Sequence, residues 1–383
     1  MQRASALRIL VPRHVDVSNF NAQNLNAKAF LKRFRRSDAK WLVANYHEAD
    51  PAVVANPNVE VTKLLPRRAW RWHMAARYLK SVDAIFYANK ESYDTWGLAL
   101  RKLFRRRVPL ILTLEGLTCT PEEQSALETC AGHPIACFPA TVEQVSATRK
   151  LYQEADHIIA ISPFMAKMGK HIYGDKVSII PLGVDLNLFK PTAARETNAR
   201  PIVLSAGTVY ARKRPEVFLQ IAQAHPTADF RWIGEGELRT QLIETARNRK
   251  IDNVQFLGSL KPHQVAAEMQ RADLFFLTSQ AEGVPKVVQE AAACGLPIVL
   301  FGHYGAPTVV HGENGMVVWT DSEMSDAIGE LLADPDRARK MGQDSQVKSQ
   351  AWDWEVLAPV WEERILELVD QLSQGRQRTI GRN

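Results

Sequence analysis

The sequence predicts an α/β fold built on open parallel sheets in two domains, and three observations carry that expectation. Strand-like and helix-like segments alternate along the chain, the rhythm of parallel strands joined by crossover helices. Runs such as 83–87 and 108–114 are predominantly apolar, as strands covered on both faces are. The 383 residues exceed what one core usually holds, and the polar, proline-bracketed stretch 191–201 reads as a linker.

In order, the first half places strands at 7–12, 41–45, 83–88, 109–114, 157–161 and 177–180. Helices fall near 22–36, 65–80, 91–106 and 141–154. Segment 117–140, with its Cys, Thr and Pro, reads as a long loop or small insertion. The second half places strands at 202–206, 229–233, 254–257, 273–277, 297–301 and 316–319. Its helices lie near 215–225, 236–249, 262–271, 285–294, 323–333 and 336–350. Trp352-Asp353-Trp354 then leads into an amphipathic helix over about 355–373. The domains are therefore 1–190, a linker 191–201, 202–355, and a final helix and tail 356–383.

An apolar content of 46% with 23% charged residues is that of a soluble globular protein. No apolar run approaches the ~18–20 residues that span a bilayer. The first residues enter a strand without a signal-peptide apolar region, so a cytoplasmic protein is expected. Cys119, Cys130, Cys137 and Cys294 lack CxxC spacing, which predicts reduced thiols and no zinc site.

Charge is divided unevenly. Residues 1–110 hold 21 Lys and Arg against 8 Asp and Glu, whereas the remainder holds 27 against 34. The excess sits at 28–36, 67–73 and 101–107, each mixing cations with Phe or Trp. Such mixtures suit an anionic membrane surface or an anionic acceptor; solvated helix faces are the plainer alternative. Nucleic acid would attract the same charge, but no recognition motif accompanies it, and none is expected as a partner.

The chemistry concentrates at 282–295. Glu282 and Gly283 precede Pro285, which suits a first helical turn, and Gly295 suits the left-handed residue after the helix. The free amides at that helix start form an anion site, and Gly283 lets a ligand approach the backbone. Glu290 lies about 7.5 Å further along the axis. A phosphate at the helix start and a ribose beside Glu290 fit that spacing, with Glu282 left to accept sugar hydroxyls. An acidic loop leading into a core helix would read the same way. Strand 229–233 runs into Gly234-Glu235-Gly236, a turn where a nucleotide base can meet a sheet edge, although a lone Gly-x-Gly is most often structural.

Several ordered blocks resemble one family. They are 158–162 (Ile-Ile-Ala-Ile-Ser), 179–185 (Ile-Ile-Pro-Leu-Gly-Val-Asp), Phe189-Lys190-Pro191, Ala206-Gly207 with Lys213, and 282–290. Gly305-Ala306-Pro307 and 309–318 complete the set. Spread over roughly 155–360, they resemble the retaining glycosyltransferases of family four. That resemblance implies the GT-B architecture: two Rossmann-like domains facing each other across a cleft, with a C-terminal helix crossing back to the first. It also implies a nucleotide-diphosphate-sugar donor, no required metal or cofactor, and a lipid-linked or cell-surface polysaccharide or lipopolysaccharide acceptor. A peripheral place on the inner face of the cell membrane follows from that acceptor.

By the same resemblance, Glu282 meets donor-sugar hydroxyls, Glu290 the ribose, the Val287 and Val288 amides the phosphates, and Lys213, beside Gly207, the diphosphate. Where the family usually has arginine after that glycine, this chain has Thr208, and Arg212 stands in from one turn away. Glu282, Lys213 and Arg212 are thus the catalytic candidates, and Gly207, Gly283, Val287, Val288, Glu290 and Gly234 the donor-binding ones. The first loop, 12–22, lacks the family's glycine pair. Asn19 and Glu115 are the acceptor-side candidates. A nucleotide-sugar epimerase or an inverting transferase on the same architecture, or a non-catalytic binding subunit, are the alternatives.

Overall fold

The computed structural model describes residues 6–12, 15–17, 22–45, 47–63, 81–86, 108–192 and 198–380, and they form two parallel sheets covered by helices. The first sheet has order β3-β2-β1-β4-β5-β6-β7. Its strands are β1 (Leu7–Val11), β2 (Ala39–Asn45), β3 (Val59–Lys63), β4 (Ala84–Phe86), β5 (Leu110–Leu114), β6 (His157–Ala160) and β7 (Val177–Ile179). The second has order β10-β9-β8-β11-β12-β13. It comprises β8 (Ile202–Ala206), β9 (Asp229–Ile233), β10 (Val254–Gly258), β11 (Leu274–Leu277), β12 (Ile298–Phe301) and β13 (Gly315–Val318). In each sheet the order reverses beside its first strand, at β1/β4 and β8/β11, and ligands of such sheets bind beyond the strand ends at that point.

Helices in the first half are α1 (Ala22–Leu31), α2 (Pro51–Val54), α3 (Pro121–Ala131), α4 (Val142–Glu154) and α5 (Pro163–Tyr173). The second half carries α6 (Pro215–Ala224), α7 (Arg239–Asn248), α8 (Pro262–Arg271), α9 (Lys286–Ala293), α10 (Asp321–Ala333), α11 (Pro335–Ser349) and α12 (Trp354–Ile380). Among the described residues no helix is long and apolar enough to cross a membrane.

The chain divides into two compact units. One comprises Met1–Thr120, Ala140–Gly183 and Trp354–Asn383; the other comprises Pro121–Pro139 and Val184–Asp353. A local device recurs in both sheets. Asp83, Asp156 and Asp273 each stand just before a strand and accept the amide of a neighbouring strand, from Arg8, Leu110 and Ile202, at 2.8–2.9 Å. Each carboxylate satisfies a donor that the ladder leaves over.

Within the first unit, α12 is held by aromatic packing. Trp354 and Trp361 are fully buried, their rings 6.5 and 6.3 Å from Phe30, and the Trp361 indole donates to the Pro181 carbonyl at 2.8 Å. The second unit centres on Phe218, whose ring lies 5.1 Å from Trp232, 5.6 Å from Phe276 and 6.0 Å from Phe230. Such pairs add about 0.5–1.5 kcal/mol each beyond their buried area.

Several expectations need correction. Helix α1 stops at Leu31, not 36, because the Arg35 and Arg36 amides donate to Glu362 at 2.8 and 3.1 Å while Phe34 turns in to stack on Phe30. Segment 117–140 is not simply a loop, since it holds α3, with Glu122 and Glu123 favouring its positive first turn. Cys119 and Cys137, which flank that helix, are disulfide-bonded, whereas Cys130 and Cys294 are not in a disulfide. Spacing predicted four reduced thiols and could not see that pair. Strand β3 and helix α5 were also unforeseen. The helices expected at 65–80 and 91–106 lie outside the described residues.

Candidate functional site

In the second unit the chain leaves β8 at Ala206 and turns through Gly207, whose φ is 149°. A Cβ there would stand 3.0 Å from the Lys213 Cε, so the glycine makes room for the lysine stem. Behind it, Gly234 has φ 144°, and a Cβ on it would fall 2.0 Å from the Gly207 oxygen. That oxygen also accepts from the Trp232 indole at 2.8 Å. Gly234 is thus required where two loops meet, a packing reason that needs no ligand.

Past Gly207 a short 3-10 turn, Ala211–Lys213, ends at Arg214 in the left-handed region, φ 49°. The turn is tied to the loop after β11. The Thr278 hydroxyl donates to the Lys213 carbonyl at 2.6 Å, and the Gln280 amide to the Arg212 carbonyl at 2.9 Å. These ties bring three predicted residues together. The Lys213 ammonium donates to Glu282 Oε1 at 2.5 Å, and the Arg212 guanidinium lies 3.1 Å from the same oxygen. All three side chains are largely buried. Burial pushes the Glu282 carboxyl up, but Lys213 and Arg212 outweigh it and hold the group below its usual range.

Gly283 follows in the same buried loop. Helix α9 then starts at Lys286, with Pro285 as its N-cap and no side chain capping it, so first-turn amides are left for an anion. The Val288 amide is a correction: it donates to the Pro285 carbonyl at 2.9 Å. Glu290 lies one turn beyond Lys286, whose ammonium is 4.0 Å away. Burial raises the Glu290 carboxyl to about 7 against the partial opposition of Lys286.

Arg212 has further partners that sequence reasoning missed. Its guanidinium donates to the Tyr210 hydroxyl at 2.7 Å and to the Ala281 carbonyl. It also lies 4.8 Å from the Phe138 ring centre and 5.4 Å from that of Tyr210. Tyr210 was signalled by its place in Tyr210-Ala211-Arg212-Lys213; Phe138 comes from a distant segment with no sequence signal. Tyr304, after β12, is fully buried, and its hydroxyl has no hydrogen-bond partner among the described residues. Burial, then the nearby Glu282 charge, raise that phenol well above its usual value.

Glu115 lies in the first unit, where the Thr113 hydroxyl donates to it at 3.1 Å. Asn19 lies outside the described residues. Among the described residues no group of His, Cys, Asp and Glu is arranged to hold a metal ion.

Residues 189–348 match the family model of the glycosyl transferases group 1, and residues 40–188 match that of glycosyltransferase family 4. A GDP-mannose-dependent monoacylated alpha-(1-6)-phosphatidylinositol monomannoside mannosyltransferase of Corynebacterium glutamicum is 27% identical over 235 residues, 55% of this chain and 61% of that protein. The chain spans 54–61% of the length of such curated relatives. Sucrose-phosphate synthase from Thermosynechococcus elongatus shares the fold with a TM-score of 0.73 at 18% identity, over 97% of this chain and 100% of that one. Anabaena HepE in complex with UDP-glucose gives 0.71 at 19%, over 95% and 100%. At such identities the likeness is one of fold, and that fold is GT-B.

Proposed function

The chain belongs to the group 1 glycosyl transferases of family 4, and from that premise we propose that it transfers a sugar, with retention, from a nucleotide-diphosphate donor to a glycolipid or cell-surface glycan. The observation that carries the reading is the convergence of Lys213 and Arg212 on one Glu282 oxygen, just before the uncapped start of α9. The diphosphate takes the two cations together with the helix start, which offset the charge that develops as it departs. Glu282, released from its cations, then accepts donor-sugar hydroxyls. Glu290 accepts the ribose hydroxyls, and the leaving phosphate helps take the acceptor proton on the same face. A relative named as GDP-mannose-dependent and a neighbour holding UDP-glucose support this donor class. The phosphatidylinositol mannoside in that relative's name supports a glycolipid acceptor.

A panel of nucleotides tests the reading. UDP or GDP should raise the melting temperature of the full chain, and the matched nucleotide sugar should give an α-linked product from an α-linked donor. No stabilisation by any nucleoside diphosphate, or an inverted product, would overturn it.

The acceptor is expected at an anionic membrane surface. Of the three basic clusters, only 28–36 is described, and it spends several cations internally. Lys28 is buried and donates to the Asp16 carbonyl, Arg33 pairs with Glu355 at 2.7 Å, and Arg36 pairs with Asp38 at 2.6 Å. The proposed membrane contact therefore rests on 67–73 and 101–107. Sedimentation with acidic liposomes should show binding that weakens as salt rises, each well-placed cation adding up to about 1 kcal/mol. Equal binding to neutral vesicles would refute the electrostatic contact.

A further inference from the structure

Segment Pro121–Pro139 belongs to the donor-binding unit although the chain on both sides of it belongs to the other. It is fixed there at three points. The His133 ring lies 5.1 Å from Trp319, the Ala136 amide donates to the His303 carbonyl at 3.2 Å, and the half-buried Phe138 meets Arg212 at 4.8 Å.

From this arrangement we propose that Phe138 is a positioning residue: it orients the Arg212 guanidinium for the donor diphosphate through the ring face. A guanidinium carries its five N–H donors in one plane. A ring against that plane orients the cation without occupying any donor, so the edges stay available to phosphate oxygens. The Tyr210 ring, at 5.4 Å, is a more distant contact of the same kind; the polar contacts behave differently. Glu282 competes with phosphate for the N–H groups, and the Tyr210 hydroxyl and the Ala281 carbonyl each occupy one. Phe138 is thus a partner that survives the exchange of Glu282 for diphosphate. The three anchors make the ring part of the site wall, and a chain segment 74 residues before Arg212 sets the geometry of the anion clamp.

This inference rests on the donor reading above, and the test separates the two. In the full chain, affinities for inorganic pyrophosphate, for UDP and GDP, and for uridine and guanosine would be measured in Phe138→Leu, Phe138→Tyr and Arg212→Ala variants. Leucine keeps the apolar anchor but removes the π face; tyrosine keeps both. Phe138→Leu should weaken the diphosphates and pyrophosphate about three- to thirtyfold and leave the nucleosides unchanged. Phe138→Tyr should behave as the wild type. Added to Arg212→Ala, the leucine substitution should cost nothing further. If Arg212→Ala weakens diphosphates while Phe138→Leu does not, or if the leucine variant loses nucleosides equally, Phe138 has no such role and the donor reading stands. If neither Arg212→Ala nor Lys213→Met weakens them, both fall.

Discussion

Lys213→Met should bind nucleoside diphosphates about ten- to a hundredfold more weakly than the wild type, the cost of losing a charged hydrogen bond, and bind the nucleosides unchanged. Methionine keeps the stem that packs against Gly207, where a Cβ would already touch the lysine, so the change removes charge more than volume. A stability cost accompanies it. Leaving one member of a buried ion pair alone costs about 3–5 kcal/mol, but Arg212 remains 3.1 Å from Glu282, so the loss should stay below that range. Calorimetric titration with UDP or GDP and the matched nucleosides separates the roles. An equal loss for nucleoside and diphosphate would make Lys213 a structural residue.

Glu290→Gln should raise the stability of the unliganded protein at pH 8 and weaken nucleotide binding in the same variant. The Glu290 carboxyl titrates near 7 in the fold against 4.5 in the unfolded chain. Between those values the folded form holds a proton that the unfolded form has released, so stability falls as pH rises. The stabilising bias is complete below about 4.5 and lost as pH passes through about 7. Across that window the wild type loses about 3 kcal/mol relative to a neutral residue. Unfolding free energies of both proteins at pH 5 and pH 8 test this directly. A difference that stays constant with pH would remove the buried charge from the account, and unaltered nucleotide affinity would remove Glu290 from the ribose site.

Much of the second unit was legible in the sequence because its strands are short, fully buried apolar runs with clear ends. Leu274–Leu277 and Ile298–Phe301 fall within a residue of expectation, and Gly295, φ 79°, closes α9 as read. Edge strand β3 was not legible, because its residues are only partly buried and form no continuous apolar run. Helix α5 does carry a start signal in the sequence, Ser162 before Pro163, and the serine hydroxyl accepts the Met165 amide. In the site, Glu282 was legible from its loop before a helix start and Lys213 and Arg212 from the family resemblance, and the three meet as a group. Phe138 and Tyr304 were not legible, since their meaning depends on where the tertiary fold sets them.

The interleaved path of the chain has a consequence for biosynthesis. The first unit takes in Met1–Thr120, yet it is completed only by Trp354–Asn383, made more than two hundred residues later. Until α12 emerges, the surface that receives Trp354 and Trp361 around Phe30 is an uncovered aromatic face on a nascent protein. Such a face invites chaperones or aggregation. The segment Pro121–Pro139 likewise waits for Val184–Asp353. A chain arrested during translation before Trp354 leaves both units in different positions: the second has every one of its pieces, and the first lacks its closing helix.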